Sequence, residues 1–190
     1  MKILKDILAG FLIGIGGFAF LKVGGPIGAL LFAFGIICVV KLQTPLYTGV
    51  AGTDEKFGRK MQILLGNIFG GMIAAGIMIF TLDNTVLDNA HIIMENKVNT
   101  LGFASFAKAI MCGAIVDISV FLAKRDNSTI PLLIGIPTFV MCGFNHSIAD
   151  VFYICVGRAW EFGILNVLLY YVIVVIGNYL GCNIRKVFTE

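Results

Sequence analysis

Long apolar runs broken by short polar punctuation dominate the chain. Crossing the hydrocarbon of a bilayer takes about 20 apolar residues in a helix. Runs of that order occupy residues 7–23, 27–42, 61–82, 103–123, 130–155 and 162–184. They predict six crossings and leave no room for a separate soluble domain. The first run lacks a small-x-small cleavage site and flows into further spans, so it is expected to be a span and not a signal peptide. Two spans are interrupted by polar residues, the second by Gln43-Thr44-Pro45 and the fifth by Asn145-His146-Ser147. The longest polar stretch, 83–100, is expected to be an outer loop serving as a lid or vestibule rim.

Composition agrees with that pattern. Of 190 residues, 58% are hydrophobic and 13% charged, against about 25% charged in soluble chains. Half the usual charge cannot cover a globule of this size, so lipid must replace the missing polar surface. This excludes a soluble enzyme, a nucleic-acid reader and a disordered chain. The 23 glycines suit helices packed closely in a bilayer. Cys38, Cys112, Cys142, Cys155 and Cys182 lie in or beside apolar runs without a C-x-x-C pair, and buried reduced thiols are expected.

Charge placement sets the topology. With the N-terminus inside, the inner segments hold Lys2, Lys5, Lys56, Arg59, Lys60, Lys124, Arg125, Arg185 and Lys186, while the outer ones hold Lys22, Lys97 and Arg158. That bias predicts cytoplasmic termini. Gly66-Asn67 in span three and Gly177-Asn178 in span six suggest an internal repeat. Three spans per half would set the halves in opposite orientations, and interrupted helices at corresponding positions mark a transport path. The predicted fold is all-α and integral to the membrane: one transmembrane domain of six helices in two inverted three-helix repeats, about 1–82 and 101–190, with broken second and fifth helices.

Ionisable residues inside spans are costly and usually functional. Here they are Lys41, Lys108, Asp117, His146 and Asp150. His146 is expected near mid-membrane beside Asn145 and a helix break, facing the break in span two. Thr48 either lines the pore opposite His146 or caps a helix leading inward. Lys97 stands at the outer entry to span four, where an interfacial, snorkelling lysine is the ordinary case. Lys41 is expected to be deep, with Asp117 or Asp150 as a partner. No metal-ligand or nucleophile constellation is visible and no cofactor is implied, so the chain is not expected to be an enzyme.

Several of these segments resemble the formate/nitrite transporter family. Phe144-Asn145-His146-Ser147-Ile148-Ala149-Asp150-Val151-Phe152 is similar to its G-F-E-H-S-I-A-N-M-F signature, and Leu46-Tyr47-Thr48-Gly49 to its L-F-T-G loop. Lys97-Val98, followed by Gly113 in Ala109–Val116, resembles the family's K-V and G-I-L-C-N-x-L-V, and the two Gly-Asn pairs match its G-N helices. The resemblance implies an aquaporin-like bundle, a homopentamer with a pore in each protomer, and passage of formate, nitrite, hydrosulfide or their acids. It further implies apolar constrictions at Phe32, Ile36, Leu46, Val116 and Phe139 flanking His146, Thr48 on the facing loop, and Lys97 in the outer vestibule.

The departures are specific. Asn145 stands where the family has Glu, Gly113 where it has Asn, and Asp150 where it has Asn; the chain reads as a short, divergent branch. The polar path is therefore expected to involve His146, Thr48, Lys97, Asn145, Asp150 and Lys41. A bare anion in an apolar slit would cost many kcal/mol. Two routes avoid that cost: proton capture near Lys97 followed by passage of the neutral acid, which we favour, or a protonated His146. A channel for a small neutral solute such as water, ammonia, urea or hydrogen sulfide is the alternative, ahead of a membrane enzyme or a structural subunit. The expected location is a bacterial inner membrane.

Overall fold

The computed structural model describes residues 2–81 and 83–189, so the end of the third predicted span at Leu82 and the extreme termini of the two predicted repeats lie outside the described residues. The described chain is helical: α1 Lys2–Val23, α2 Gly25–Lys41, α3 Tyr47–Val50, α4 Phe57–Ile79, α5 Asn84–Asn99, α6 Phe103–Arg125, α7 Ile130–Met141, α8 Ser147–Val156 and α9 Ile164–Thr189, with one 3₁₀ turn at Ala159–Phe162. Among the described residues, α1, α4, α6 and α9 are each long and apolar enough to cross a membrane. The predicted second and fifth spans are each divided, into α2 and α3 and into α7 and α8.

α1 packs on α2 and α4, and α6 packs on α7 and α9; α2 meets α7, α8 sits against α4, and α3 sits against α6. Each half thus lends its short helix to the other. Contact this close needs small residues at the crossings. A Cβ on Gly10 would come within 1.9 Å of the Asn67 carbonyl oxygen, and one on Gly113 within 2.4 Å of the Asn178 carbonyl oxygen. Gly113, where the family pattern has Asn, is therefore a packing position between α6 and α9. The large apolar side chains left exposed, among them Leu65, Phe69 and Met72 on α4 and Leu165, Leu168 and Leu169 on α9, face away from the bundle, as membrane helices require.

Segment 83–100 is not the predicted loop but carries α5 over most of its length. Asp83 caps it, accepting from the Val86 amide at 3.3 Å, and pairs with Lys22 at 2.7 Å. The loop assignment came from polarity. A short helix needs only an N-cap and one apolar stripe, and Val86, Ala90, Met94 and Val98 supply the stripe at helical spacing. The thiols also depart from expectation: Cys112 and Cys182 are buried, Cys38 and Cys155 half-buried, and Cys142 exposed.

Candidate pore site

Both breaks use one device. α2 ends with the Thr44 amide donating to the Val39 carbonyl and Gln43 to Val40, while Gln43 takes a φ of 53°. α7 ends with Phe144 donating to Phe139 and Gly143 to Val140, with a φ of 64° at Gly143. These paired bonds around a left-handed residue form a Schellman end. Each is followed by an extended residue, Leu46 or His146, from which a short helix restarts.

A backbone that leaves a helix inside hydrocarbon needs partners for its polar groups. Asn67 and Asn178 provide them in the same way. The Asn67 side chain accepts from the Tyr47 amide at 2.7 Å and donates to the Asp6 and Pro45 carbonyls at 2.7 and 3.1 Å. Asn178 accepts from the Ser147 amide at 2.8 Å and donates to the Ala109 and Asn145 carbonyls at 2.8 and 2.9 Å. These residues carried the repeat signal in the sequence without being assigned to the site, and they are its framework.

The two restarts bring Thr48 and His146 together. Thr48 Oγ1 lies 3.1 Å from His146 Nε2, and both residues are buried. His146 is also the N-cap of α8: its Nδ1 accepts from the amides of Ile148 and Ala149, each at 3.2 Å. An accepting Nδ1 corresponds to the Nε2–H tautomer in a neutral ring. The Nε2–H then donates to Thr48, leaving the Thr48 hydroxyl hydrogen free to point elsewhere. Capping falls to His146 and not to Thr48, which lies inside α3.

Aromatic rings flank His146. The Phe139 ring stacks on His146 with centroids 5.5 Å apart, and Phe32 meets Phe139 edge-on at 5.7 Å. Phe32, Ile36, Leu46, Val116 and Phe139 are all buried.

A cavity opens on either side, and the two share no lining residue. The smaller, about 110 Å³, is lined by Phe139, Phe144, His146, Lys97, Asp150 and Tyr153 among others. The larger, about 800 Å³, reaches inward to Leu46 and is rimmed by Lys2, Lys5, Lys41, Arg59 and Lys124. Four of these, Lys2, Lys5, Arg59 and Lys124, belong to the cations the sequence sorts to the inner side, and Lys41 joins them at the same mouth.

Several predicted partners change. Lys97 is no surface lysine: its Nζ lies 2.5 Å from Asp150 Oδ1, with side-chain exposures of 13% and 0%. Asp150 Oδ2 accepts from the Tyr170 hydroxyl at 2.6 Å. Lys41 is not deep but exposed, at the C-terminal end of α2, and donates to Asn127 Oδ1 at 3.4 Å. Neither aspartate partners it, because Asp117 accepts from Arg185 at 2.8 Å and Asp150 is held by Lys97. The break after Lys41 is visible in the sequence, but the wide cavity that opens beside it is formed by other helices and is not. Asn145 is buried, donates to the Ser105 carbonyl at 3.2 Å and lines neither cavity. Tyr170 had no motif to mark it.

Comparison with known proteins agrees with this architecture. Residues 57–186 match the formate/nitrite transporter family. The formate channel FocA of Haemophilus influenzae is 25% identical over 155 residues, covering 69% of this chain and 53% of that protein, so the chain spans about half the length of the curated relative it matches. Among solved structures, a pentameric formate channel with formate bound superposes with a TM-score of 0.86 at 21% identity, covering 97% of this chain and 93% of that one. An ion channel of the same family gives 0.83 at 16% identity, covering 96% and 86%. With most of its length matched and the broken-helix bundle in place, the chain is a member of the formate/nitrite transporter family.

Proposed function

We propose that the chain forms a channel for small monovalent weak acids of the formate, nitrite and hydrosulfide type, crossing the membrane as the neutral acid. The carrying observation is the buried Thr48–His146 pair, enclosed by Phe32 and Phe139 between two separate cavities. An ion stripped of water there would cost many kcal/mol, whereas an uncharged acid needs only a donor and an acceptor. His146 and Thr48 offer both midway, and the constrictions at Phe32, Ile36, Leu46, Val116 and Phe139 exclude water on each side. Asn145 acts as a brace for the loop before His146. Lys41 belongs to the mouth that gathers or releases the anion.

In this reading the chain crosses six times, as two inverted halves of about 1–82 and 101–190 joined through 83–100. The shared Schellman ends and asparagine clamps support that symmetry. The lysine-rimmed mouth is cytoplasmic, as are both termini, in a bacterial inner membrane, and five copies assemble with one pore each. The pathway uses no cofactor or metal, and no step of it is enzymatic.

Uptake of labelled formate, nitrite and hydrosulfide into liposomes at several external pH values tests the reading. His146→Phe should abolish most of the flux while the oligomer still assembles. Wild-type rates and pH profile in His146→Phe would overturn it. Flux of an uncharged solute such as urea, independent of pH, would favour the neutral-solute channel.

A further inference from the structure

The two cavities differ in charge. Around the larger one, Lys2, Lys5, Lys41 and Lys124 form no ion pair among the described residues, and Glu55 is the one acid in its lining. Around the smaller one the lining holds one lysine and one aspartate, and they are joined. Lys97 lies over the Tyr153 ring at 5.6 Å, on the wall of the same cavity. The Asp150 carboxylate is fully buried, shared between Lys97 and the Tyr170 hydroxyl, and sits in the first turn of α8, where the helix end favours a negative charge. The Lys97 ammonium and the Tyr170 hydroxyl anchor one carboxylate oxygen each. An anion entering from this side meets no net positive charge, and to reach the ammonium it must displace a carboxylate already anchored twice.

We propose that Asp150 is a specificity-determining residue of the Lys97 mouth. By neutralising Lys97 it makes the 110 Å³ cavity accept small uncharged acids and reject small anions that stay ionised, such as nitrate. This rests on the weak-acid reading above and adds to it the side chain that decides the charge state admitted. Opposite charges at contact distance oppose each other's field around them, so removing one strengthens the attraction of the other.

The test compares nitrate-dependent thermal stabilisation of the purified oligomer in detergent for wild type, Asp150→Asn and the double variant Asp150→Asn/Lys97→Gln, at low ionic strength and neutral pH. Asp150→Asn keeps an oxygen for Tyr170 and leaves Lys97 unbalanced. It should respond to nitrate at about tenfold lower concentration than wild type, and the double variant should lose that gain. Equal responses of wild type and Asp150→Asn, or a gain retained in the double variant, would overturn the proposal. Asp150→Ser makes the same charge change with a smaller side chain and decides the matter if Asp150→Asn does not assemble. Because binding is read directly, absence of formate uptake by wild type would defeat the transport reading while leaving the charge comparison to be judged by its own outcome.

Discussion

Thr48 and His146 stand 98 positions apart in the chain, yet their side chains lie 3.1 Å from each other. Each is placed by a helix that stops early and restarts: α3 begins one residue before Thr48, and α8 begins one residue after His146. The pair joins side chains from the two halves, and its tautomer is set by the cap that α8 requires of His146.

Replacing Thr48 by Val keeps the shape and removes the hydroxyl. Losing one hydrogen bond worth about 1 kcal/mol at the barrier should lower flux about fivefold. Initial rates of formate uptake into liposomes check this; unchanged rates would mean that the hydroxyl takes no part in passage.

The asparagine clamps should behave as structural elements. Asn178→Ala strands the Ser147 amide and the Asn145 carbonyl in an apolar setting and removes a second donor from the helical Ala109 carbonyl, at a cost of about 3 kcal/mol. Asn67→Ala should cost about as much, because it strands the Tyr47 amide and the Pro45 carbonyl and takes a second donor from the helical Asp6 carbonyl. Midpoints of thermal unfolding in detergent should fall for both, and a drop in only one would show that the two breaks are not held alike.

Gly113 provides a test by addition. A side chain there meets the Asn178 carbonyl at 2.4 Å, so Gly113→Ala should separate α6 from α9 and cost about 1–3 kcal/mol. Gly113→Asn, which restores the family's residue, should be worse in this chain unless neighbouring positions change with it. A rise in unfolding temperature for either variant would contradict the packing role.

The Lys22–Asp83 pair predicts a pH effect on stability. Lys22 and then the Val86 amide hold the Asp83 carboxyl below its ordinary value. A depressed carboxylate contributes stability above its unfolded value, about 3.9, and loses it as pH falls through the lower folded value. Asp83→Asn should therefore unfold at a lower temperature than wild type near neutral pH and converge with it in acid. A constant gap at all pH values would place the effect in the cap alone.

Much of this was legible along the chain. The six apolar runs, the polar interruptions at 43–45 and 145–147, and the two Gly-Asn pairs all have physical signatures that survive without coordinates, since lipid penalises each exposed polar group. His146 was marked for the same reason, as an ionisable residue beside a break inside an apolar run, while the H-S-I-A string carried only the family resemblance. Less legible was α5, whose polar composition hid an apolar stripe. Lys41 was misread because depth was inferred from its place in an apolar run, when the turn after α2 puts it at a mouth.

The sequence by itself determined that this chain lives in a membrane, where its helices break, and which few ionisable residues must find partners there. Only the tertiary structure decided who those partners are: Lys97 with Asp150 and Tyr170, Arg185 with Asp117, Thr48 with His146. Hydrophobicity is a local property that every residue carries wherever the chain goes. Pairing depends on which helices cross and how close their backbones come, and glycine contacts such as Gly113 on Asn178 settle that only once the bundle has closed.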